Sequence, residues 1–294
     1  MISRGTTFGE HEIVRHIATG ATSDVFEGRH RSSGRTVAVK VLHADVCLDE
    51  GLVRRFFNEA LALQHMDHPH IVKIVDCAAL PSGAPFMVLE WLPSDLHRAL
   101  ARAGGALAPE VGARMAMQLA RALGALHERG IVHRDLKPAN VLLSHEDPAV
   151  AEVKLADLGL AKLLAGTTDR NAEPTSLSTL HISTGQRAVF GTWEYMAPEQ
   201  WLQSKTVDTK ADVYSLGVLL FQMLTGRLPF VAAQEKDWMY YHVLEDPPLH
   251  LLGDHVPRPL RDLVGRMLRK KGPQRPTMQD VVMGLGGSQP TTLK

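Results

Sequence analysis

The chain has 294 residues with a formal net charge of +0, and 45% of its residues are hydrophobic and 22% charged. These values are typical of a globular protein of one domain or two lobes, and the absence of a Lys/Arg run argues against nucleic acid or an anionic membrane as the main partner. Cys47 and Cys77 are the only cysteines and form no C-x-x-C motif, which favours a reduced, cytoplasmic setting.

Membrane and secretion signals are not predicted from this sequence. Residues 1–5 lack the apolar core of a signal peptide, and no apolar run approaches the roughly 20 residues that span a bilayer. We expect a chain without a membrane segment, although an anchor could belong to a longer parent protein.

The first third of the chain predicts strands around one helix. Apolar residues alternate from residue 8 to 41 and are interrupted by small residues at 18–23, which favours two strands joined by a turn and a third strand at 37–41. Asp49 is placed to cap a helix that extends to about Met66. Segments 71–75 and 86–90 complete the predicted sheet.

Beyond Pro93 the apolar period changes from two to about 3.6, so helices dominate. Pro109 predicts the start of a long helix and Gly130 its C-terminal cap. Further helices are predicted at about 211–224, 238–244, 259–268 and 277–285. A ligand cleft is expected near residues 90–94, where the strand-rich part of the sequence meets the helix-rich part.

A polar loop lies between two short buried strands predicted at 131–132 and 141–143. It has the pattern H-R-D-L-x-x-x-N, which brings the carboxylate of Asp135, the cation of Lys137 and the amide of Asn140 within six positions. A loop with one Asp and one Asn is more often structural than catalytic, so its interpretation depends on other motifs. Asp157 precedes Leu-Gly, and residues 191–199 end in Ala-Pro-Glu.

Together these motifs resemble those of the eukaryotic-like serine/threonine protein kinases, and residues 137–140 and 215–226 are most similar to bacterial members. The resemblance covers about residues 8–285 and implies an α+β, bilobal protein kinase fold. A small β-rich N-lobe with one main helix is expected at about 8–90, a hinge at about 90–94 and a larger helical C-lobe at about 95–285. Residues 1–7 and 286–294 would be tails.

The resemblance implies four catalytic side chains. Asp135 would accept the proton of the substrate hydroxyl, and Lys137 would neutralise the transferring phosphoryl group. Lys40 would hold the α- and β-phosphates and pair with Glu59.

Two further residues, Asn140 and Asp157, are the implied metal ligands. Their hard oxygen donors suit Mg²⁺, which Mn²⁺ could replace. Zinc at His65, His68 and His70 is disfavoured, because kinases carry a similar His-Pro-His turn without it.

The implied ATP site combines a glycine-rich turn with an apolar sandwich around the adenine. Only the middle glycine of the turn, Gly20, is kept, so a plain hairpin turn stays an alternative. Leu89 would be the gatekeeper, and the backbones of Glu90 and Leu92 would bond the adenine. The full set implied to bind ATP is Ile17, Ala18, Gly20, Ser23, Val25, Ala38, Lys40, Leu89, Glu90, Leu92 and Leu142.

Two structural contacts are also implied by the resemblance. Glu199, in the Ala-Pro-Glu tripeptide, would pair with Arg275, and Asp212 would brace the backbone of the H-R-D loop. A buried carboxylate of this kind is structural, and its loss should destabilise the fold.

A basic pocket for a phosphorylated loop residue is implied by Arg134, Lys162 and Arg55. Ala188 stands where relatives carry the accepting threonine. Either another hydroxyl reaches the pocket, or the loop is not switched in the usual manner. The candidate hydroxyls are Ser183 and Thr184 and, further upstream, Thr175, Ser176, Ser178 and Thr179.

The resemblance implies transfer of the γ-phosphate of ATP to Ser/Thr hydroxyls of protein substrates, with autophosphorylation that a homodimer would serve. Lys137 and Thr192 match the serine/threonine branch. A pseudokinase is the main alternative, but such proteins usually lose Lys40, Asp135 or Asp157, and all three are present. A small-molecule phosphotransferase is less favoured, because such kinases lack the 191–199 segment.

Overall fold

The computed structural model describes residues 2–80, 83–157, 193–202 and 207–286, apart from the side chain of Arg55. These residues divide into two compact units. The first unit contains residues 2–96 and 140–157, and the second contains residues 97–139, 193–202 and 207–286. The strands at 141–155 lie in the first unit, although the predicted lobe boundaries placed them with the helices.

The first unit is built on an antiparallel sheet. Among the described residues it has six strands in the order β1-β2-β3-β4-β6-β5. The strands are β1 (Thr7–Phe8), β2 (His11–Thr19), β3 (Ser23–His30), β4 (Thr36–Leu42), β5 (Ile74–Ala79) and β6 (Pro85–Glu90).

The two faces of this sheet differ in burial because side chains alternate along each strand. One face carries a closed core of Phe8, Ile13, Phe26, Val37, Val39, Val41, Phe86 and Val88. On the opposite face Val25 pairs with Lys40, and Ala38 pairs with Leu89. These four residues are only partly buried, so this face keeps accessible surface.

The helix α1 (Glu50–Gln64) carries Glu59 and is fixed at its start by Asp49. The Asp49 carboxylate accepts the N–H groups of Gly51 and Leu52 at 2.8 and 3.1 Å. Phe56 is buried, as is Glu59, so the predicted apolar face of this helix packs toward the interior. The predicted cap and helix are therefore confirmed.

A second, small sheet of the first unit joins β7 (Ser94–Asp95), β8 (Val141–Leu143) and β9 (Val153–Leu155). The predicted strand at 141–143 is thus confirmed. Ile131 and Val132 are buried, but they form no strand among the described elements. The prediction was wrong there because the Ile131 N–H bonds Leu126 O at the end of the preceding helix.

The second unit is helical. Its elements are α2 (Leu96–Arg102), α3 (Pro109–His127), α4 (Pro198–Leu202), α5 (Lys210–Thr225), α6 (Glu235–Val243), α7 (Arg258–Met267) and α8 (Met278–Gly286). The helix α5 is buried along nearly its whole length and ends at Gly226, whose φ of 72° is a left-handed C-cap.

The predicted helices of the second unit are confirmed, with ends displaced by at most three residues. The short α2 and α4 were not predicted, and β5 begins at Ile74 rather than at Ile71. Ile71 instead forms an isolated parallel bridge with Leu155. Within the described ranges, no helix combines the length and apolar character needed to cross a membrane.

Candidate active site

In the first unit, Lys40 lies between two carboxylates. Its Nζ is 2.6 Å from Asp157 Oδ1 and 3.5 Å from Glu59 Oε1. Lys40 comes from β4, Glu59 from the buried face of α1, and Asp157 follows β9 by two residues. The structure thus brings together three residues, of which Asp157 lies 117 positions after Lys40 in sequence.

Electrostatics keep the Lys40 ammonium charged. Burial alone would lower the pKa of Lys40, but the charges of Asp157 and Glu59 outweigh it and hold the pKa above its usual value. Glu59 exposes only 3% of its side chain, whereas Asp157 exposes 45%. The Asp157 carboxylate therefore keeps surface through which it can bind a ligand.

Asn140, the other implied metal ligand, is tied to the segment that carries Asp157. The Ala156 N–H donates to Asn140 O at 2.9 Å, and Asn140 is 5% exposed. One carboxylate and one amide oxygen fit Mg²⁺, which accepts few protein ligands and shares its shell with water and phosphate. The residues present therefore fit a divalent metal ion with hard oxygen ligands.

The predicted adenine pocket residues lie on or beside the accessible face of the sheet. Val25, Ala38 and Leu89 share that face with Lys40, and Leu142 on β8 is also partly exposed. The core on the opposite face contains the strand neighbours of Val25, Ala38 and Leu89, namely Phe26, Val37, Val39 and Val88. Leu92 lies two residues past the end of β6 and is likewise partly exposed.

The end of β6 is anchored by Glu90. Its Oε1 accepts the Lys73 N–H at 2.8 Å and pairs with Lys154 Nζ at 2.7 Å, while its own N–H bonds Lys73 O at 2.9 Å. This network was not predicted, because residues 73, 90 and 154 lie far apart in sequence and on different structural elements. It fixes the backbone whose groups are expected to bond adenine.

The glycine-rich turn joins β2, which contains Ile17 and Ala18, to β3, which begins at Ser23. The Gly20 N–H bonds Ser23 O at 2.8 Å. A Cβ at Gly20 would lie 3.2 Å from that same oxygen, closer than ordinary contact. A side chain at position 20 would therefore require the turn to shift by a few tenths of an ångström.

In the second unit, the H-R-D loop presents Asp135 and Lys137 as a pair. Lys137 Nζ donates to Asp135 Oδ2 at 2.8 Å, and each side chain exposes 25% of its surface. A carboxylate and an ammonium in contact at a partly open position can bind a polar substrate group and balance its changing charge.

The loop that carries this pair is held in place by Asp212 on α5. The Asp212 carboxylate is fully buried and accepts the N–H groups of His133 at 2.9 Å and Arg134 at 2.8 Å. Its Oδ2 also contacts His127 Nε2 at 2.8 Å. The predicted bracing role of Asp212 is confirmed.

The charge of Asp212 is stabilised by these partners. Burial would raise the pKa of Asp212, but the His127 hydrogen bond, nearby imidazoles and the Arg134 N–H together lower it below its usual value. Sequence reasoning missed His127, whose only signal was its place in the last turn of α3, six residues before His133.

Arg134 and Asp157 are the non-glycine residues of the described chain with positive φ, at 65° and 56°. The Arg134 guanidinium donates to Val207 O at 2.8 Å. Of the other residues implied in the basic pocket and the loop, Lys162, Ala188 and the candidate hydroxyls between 175 and 184 lie outside the described residues. The side chain of Arg55 does as well.

The predicted pair of Glu199 and Arg275 is present and bidentate. Arg275 Nη1 and Nη2 lie 2.6 and 2.9 Å from the two Glu199 oxygens. Arg275 also donates to the carbonyl oxygens of Arg269, Lys210 and Lys270, at 2.7 to 2.8 Å. This arginine joins α4, which begins within the 191–199 motif, to the start of α5 and the loop before α8.

Two features of this chain define the protein kinases. One is a lysine held by two carboxylates in a strand-rich unit, and the other is an H-R-D loop braced by a buried aspartate in a helical unit. The protein kinase domain model matches residues 11–284, and the chain belongs to this family.

Curated bacterial relatives carry serine/threonine-protein kinase names. The kinase pkn2 of Myxococcus xanthus is 35% identical over 272 residues, which cover 91% of this chain and 31% of that protein. Pkn1 of the same organism is 39% identical over 244 residues, covering 83% and 33%. PknB of Mycolicibacterium smegmatis is 35% identical over 240 residues, covering 81% and 36%. The chain spans about a third of the length of these relatives.

Proposed function

We propose that the chain is an ATP-dependent serine/threonine protein kinase. The observation that carries this proposal is the position of Lys40, 2.6 Å from Asp157 and 3.5 Å from Glu59. An ammonium beside one buried and one accessible carboxylate suits phosphates and divalent metal together. The names of the relatives support protein hydroxyls as acceptors.

In the proposed mechanism Asp135 orients the substrate Ser or Thr hydroxyl and receives its proton as the oxygen bonds the γ-phosphorus of ATP. The bond from that phosphorus to the bridging oxygen breaks, and ADP leaves with the electron pair. Lys137, in contact with Asp135, balances the charge on the transferred group, and Lys40 holds the remaining phosphates. Mg²⁺ held by Asn140 and Asp157 would neutralise phosphate charge, and Mn²⁺ would fit the same donors.

The test is phosphate transfer from labelled ATP to the protein itself and to a generic protein substrate. We expect wild-type protein to incorporate phosphate, and Asp135→Asn and Lys40→Met to lose at least about 10²-fold of the rate. Asp147→Asn is a matched control, because Asp147 is exposed and its carboxylate accepts a local N–H from Ala149.

ATP binding without transfer by the wild type would instead support the pseudokinase alternative, and transfer to an aminoglycoside but not to protein would support a small-molecule phosphotransferase. Replacing Mg²⁺ by Mn²⁺ tests the metal. A rate of autophosphorylation that rises with protein concentration would support transfer within a homodimer.

Autophosphorylation between residues 167 and 192 is a further part of the proposal. Mapping phosphate to Ser183 or Thr184 would support a loop switch that does not need a hydroxyl at Ala188. A fully active protein without phosphate in that segment would contradict it.

A reduced, cytoplasmic setting also belongs to the proposal. Burial, with a smaller effect from Asp76, raises the pKa of Cys77 to about 11, so the thiol stays protonated and unreactive.

A further inference from the structure

A polar cluster closes the root of the glycine-rich turn. Asp24 Oδ1 accepts the Thr19 hydroxyl at 2.7 Å and lies 3.4 Å from both His16 Nε2 and His43 Nε2. Thr19 and Asp24 face each other as the last cross-strand pair of β2 and β3. We call Thr19, Asp24, His16 and His43 the turn cluster.

The turn cluster stands beside the positions where two glycines of the family pattern are missing. The residues in those places are Ala18 and Ser23, which flank Thr19 and Asp24 in sequence. The His43 N–H also bonds Thr22 O at 2.9 Å, so the residue that follows β4 holds the tip of the turn as well. Side-chain hydrogen bonds thus limit a turn that glycines would leave adaptable.

The turn cluster is partly accessible and joins a carboxylate to two imidazoles. The exposed side-chain fractions are 30% for Asp24, 48% for His16 and 22% for His43. Burial raises the pKa of Asp24, but hydrogen bonds from Thr19, His16 and His43 outweigh it and lower the pKa. An imidazole side chain can carry a proton and a positive charge, which would oppose the negative charge of the Asp24 carboxylate.

The groups that face the Asp24 carboxylate come from both neighbouring strands, with His16 on β2 and His43 just after β4. Another charged pair of this hairpin, Arg15 and Glu27, is joined at 2.7 Å further from the turn. In the part of the chain that the structure describes, no three His, Cys, Asp or Glu side chains are placed to hold a metal ion. The turn cluster is therefore interpreted as a hydrogen-bonded group.

We propose that Asp24 is a positioning residue for the phosphate-binding turn, and that His16 and His43 make nucleotide binding stronger as the pH falls. The inference rests on the proposed function, since the turn must bind a nucleotide. Imidazolium groups would strengthen their bonds to Asp24 and turn the local field positive, and a polyanionic nucleotide gains from both changes.

The experiment measures KM for ATP and kcat, together with the equilibrium Kd for ATP with Mg²⁺, at about pH 6 and about pH 8. The proteins are the wild type, Asp24→Asn and the double variant His16→Gln/His43→Gln, whose glutamines keep hydrogen-bonding capacity without titrating. Protonation of ATP itself is common to all proteins, so the ratio of variant to wild type at each pH isolates the turn cluster.

We expect Asp24→Asn to raise KM and Kd by about 3- to 10-fold at pH 6, which corresponds to the loss of a charged hydrogen bond, with kcat nearly unchanged. The double variant should match the wild type at pH 8 within about twofold and bind ATP several-fold more weakly than the wild type at pH 6. Thr19→Val should show part of the Asp24→Asn effect at both values of pH.

The matched control is Glu27→Gln, which removes a carboxylate and an ion pair from the same strand away from the turn. It should leave KM and its pH dependence at wild-type values. Equal variant-to-wild-type ratios at both pH values for the double variant would overturn the role of the imidazoles. Unchanged binding in Asp24→Asn and Thr19→Val would overturn the positioning role.

Failure of the proposed function gives a different result. A wild-type protein that binds ATP but transfers no phosphate would reject the kinase activity, while the Kd ratios would still decide the turn cluster. A wild-type protein that binds no ATP would reject both.

Discussion

A partly buried charge in the first unit and a fully buried charge in the second unit are neutralised by different kinds of partner. Lys40 in the first unit is paired with the side chains of Asp157 and Glu59. Asp212 in the second unit accepts two backbone N–H groups of the H-R-D loop and contacts one imidazole.

This difference distinguishes a charge that can bind a ligand from a charge that supports the fold. A carboxylate such as Asp157, which exposes 45% of its side chain, can rotate and take other partners, so the charge of Lys40 remains available to a ligand. Backbone N–H groups cannot move unless the chain moves, so their bonds to Asp212 fix the conformation of the loop. We therefore expect changes at Lys40 to alter mainly activity and changes at Asp212 to alter mainly stability.

The largest stability effect is expected for Asp212→Ala. Removal of the carboxylate leaves two buried N–H groups without their acceptor, which should lower the free energy of unfolding by about 3 to 5 kcal/mol in urea titrations. Asp262→Asn is the control, because Asp262 is 68% exposed and its nearest ion-pair atom lies 3.9 Å away. A loss below about 1 kcal/mol in Asp212→Ala would contradict the supporting role.

The largest activity effect is expected for Lys40→Met, with kcat/KM lower by about 10²-fold or more because a phosphate-binding charge is lost. This change also removes the Lys40 ammonium from beside the buried Glu59 carboxylate. The double variant Lys40→Met/Glu59→Gln should therefore recover stability without recovering transfer. Lys236→Met, at an exposed lysine, is the control for loss of an ammonium. Recovery of transfer in the double variant would refute the comparison.

A buried imidazole in the second unit extends the comparison to pH. His242 lies among aromatic rings, and burial followed by the charge of Lys270 lowers its pKa to about 3. In the unfolded chain a histidine titrates near about 6.5, so below that pH the unfolded state binds a proton that the folded state does not. Stability is therefore lost as the pH falls from about 6.5 toward 3.

The measurement is urea unfolding of wild type and His242→Gln at about pH 7 and about pH 5. The wild type should lose about 2 kcal/mol more than the variant between these values. His250→Gln, at an exposed position, should behave like the wild type. Equal losses of stability in the wild type and His242→Gln would show that His242 also binds the proton in the folded state.

The smallest effect is expected for Asp49→Ala, which removes a carboxylate that accepts backbone N–H groups as Asp212 does, but at an exposed helix end. The cap should contribute about 1 kcal/mol to stability. Asp45→Ala is a close control, since Asp45 precedes a short 3₁₀ turn and makes no capping bond. A larger loss for Asp49→Ala than for Asp212→Ala would mean that burial does not set the energetic difference.

Local signals carried much of the fold prediction. Asp49 and Pro109 mark helix starts through bonding rules that act within a few residues, and both helices begin there. Ile131 and Val132 were misassigned because a short apolar run is equally compatible with a strand and with a buried extended segment. The short α2 and α4 contain too few turns for a periodic pattern to be visible.

The contacts around the site were harder to predict from sequence. Asp212 and Arg275 could be placed because the family resemblance supplied their partners. The bond from His43 to Asp24 spans 19 residues and forms where β3 pairs with β4. The bond from Lys154 to Glu90 spans 64 residues and joins strands of two different sheets. No local pattern encodes either bond. These residue types are also common on protein surfaces, so the sequence does not single these positions out.

The positive φ angles of Arg134 and Asp157 have a consequence for engineering. A left-handed backbone costs an ordinary residue roughly 1 kcal/mol or more, and glycine would relieve that cost. Glycine would also delete a loop arginine or the accessible carboxylate beside Lys40. The natural sequence thus stands away from its stability optimum at both positions, and efforts to make a heat-resistant enzyme should leave them unchanged and improve surface and helix-end residues instead.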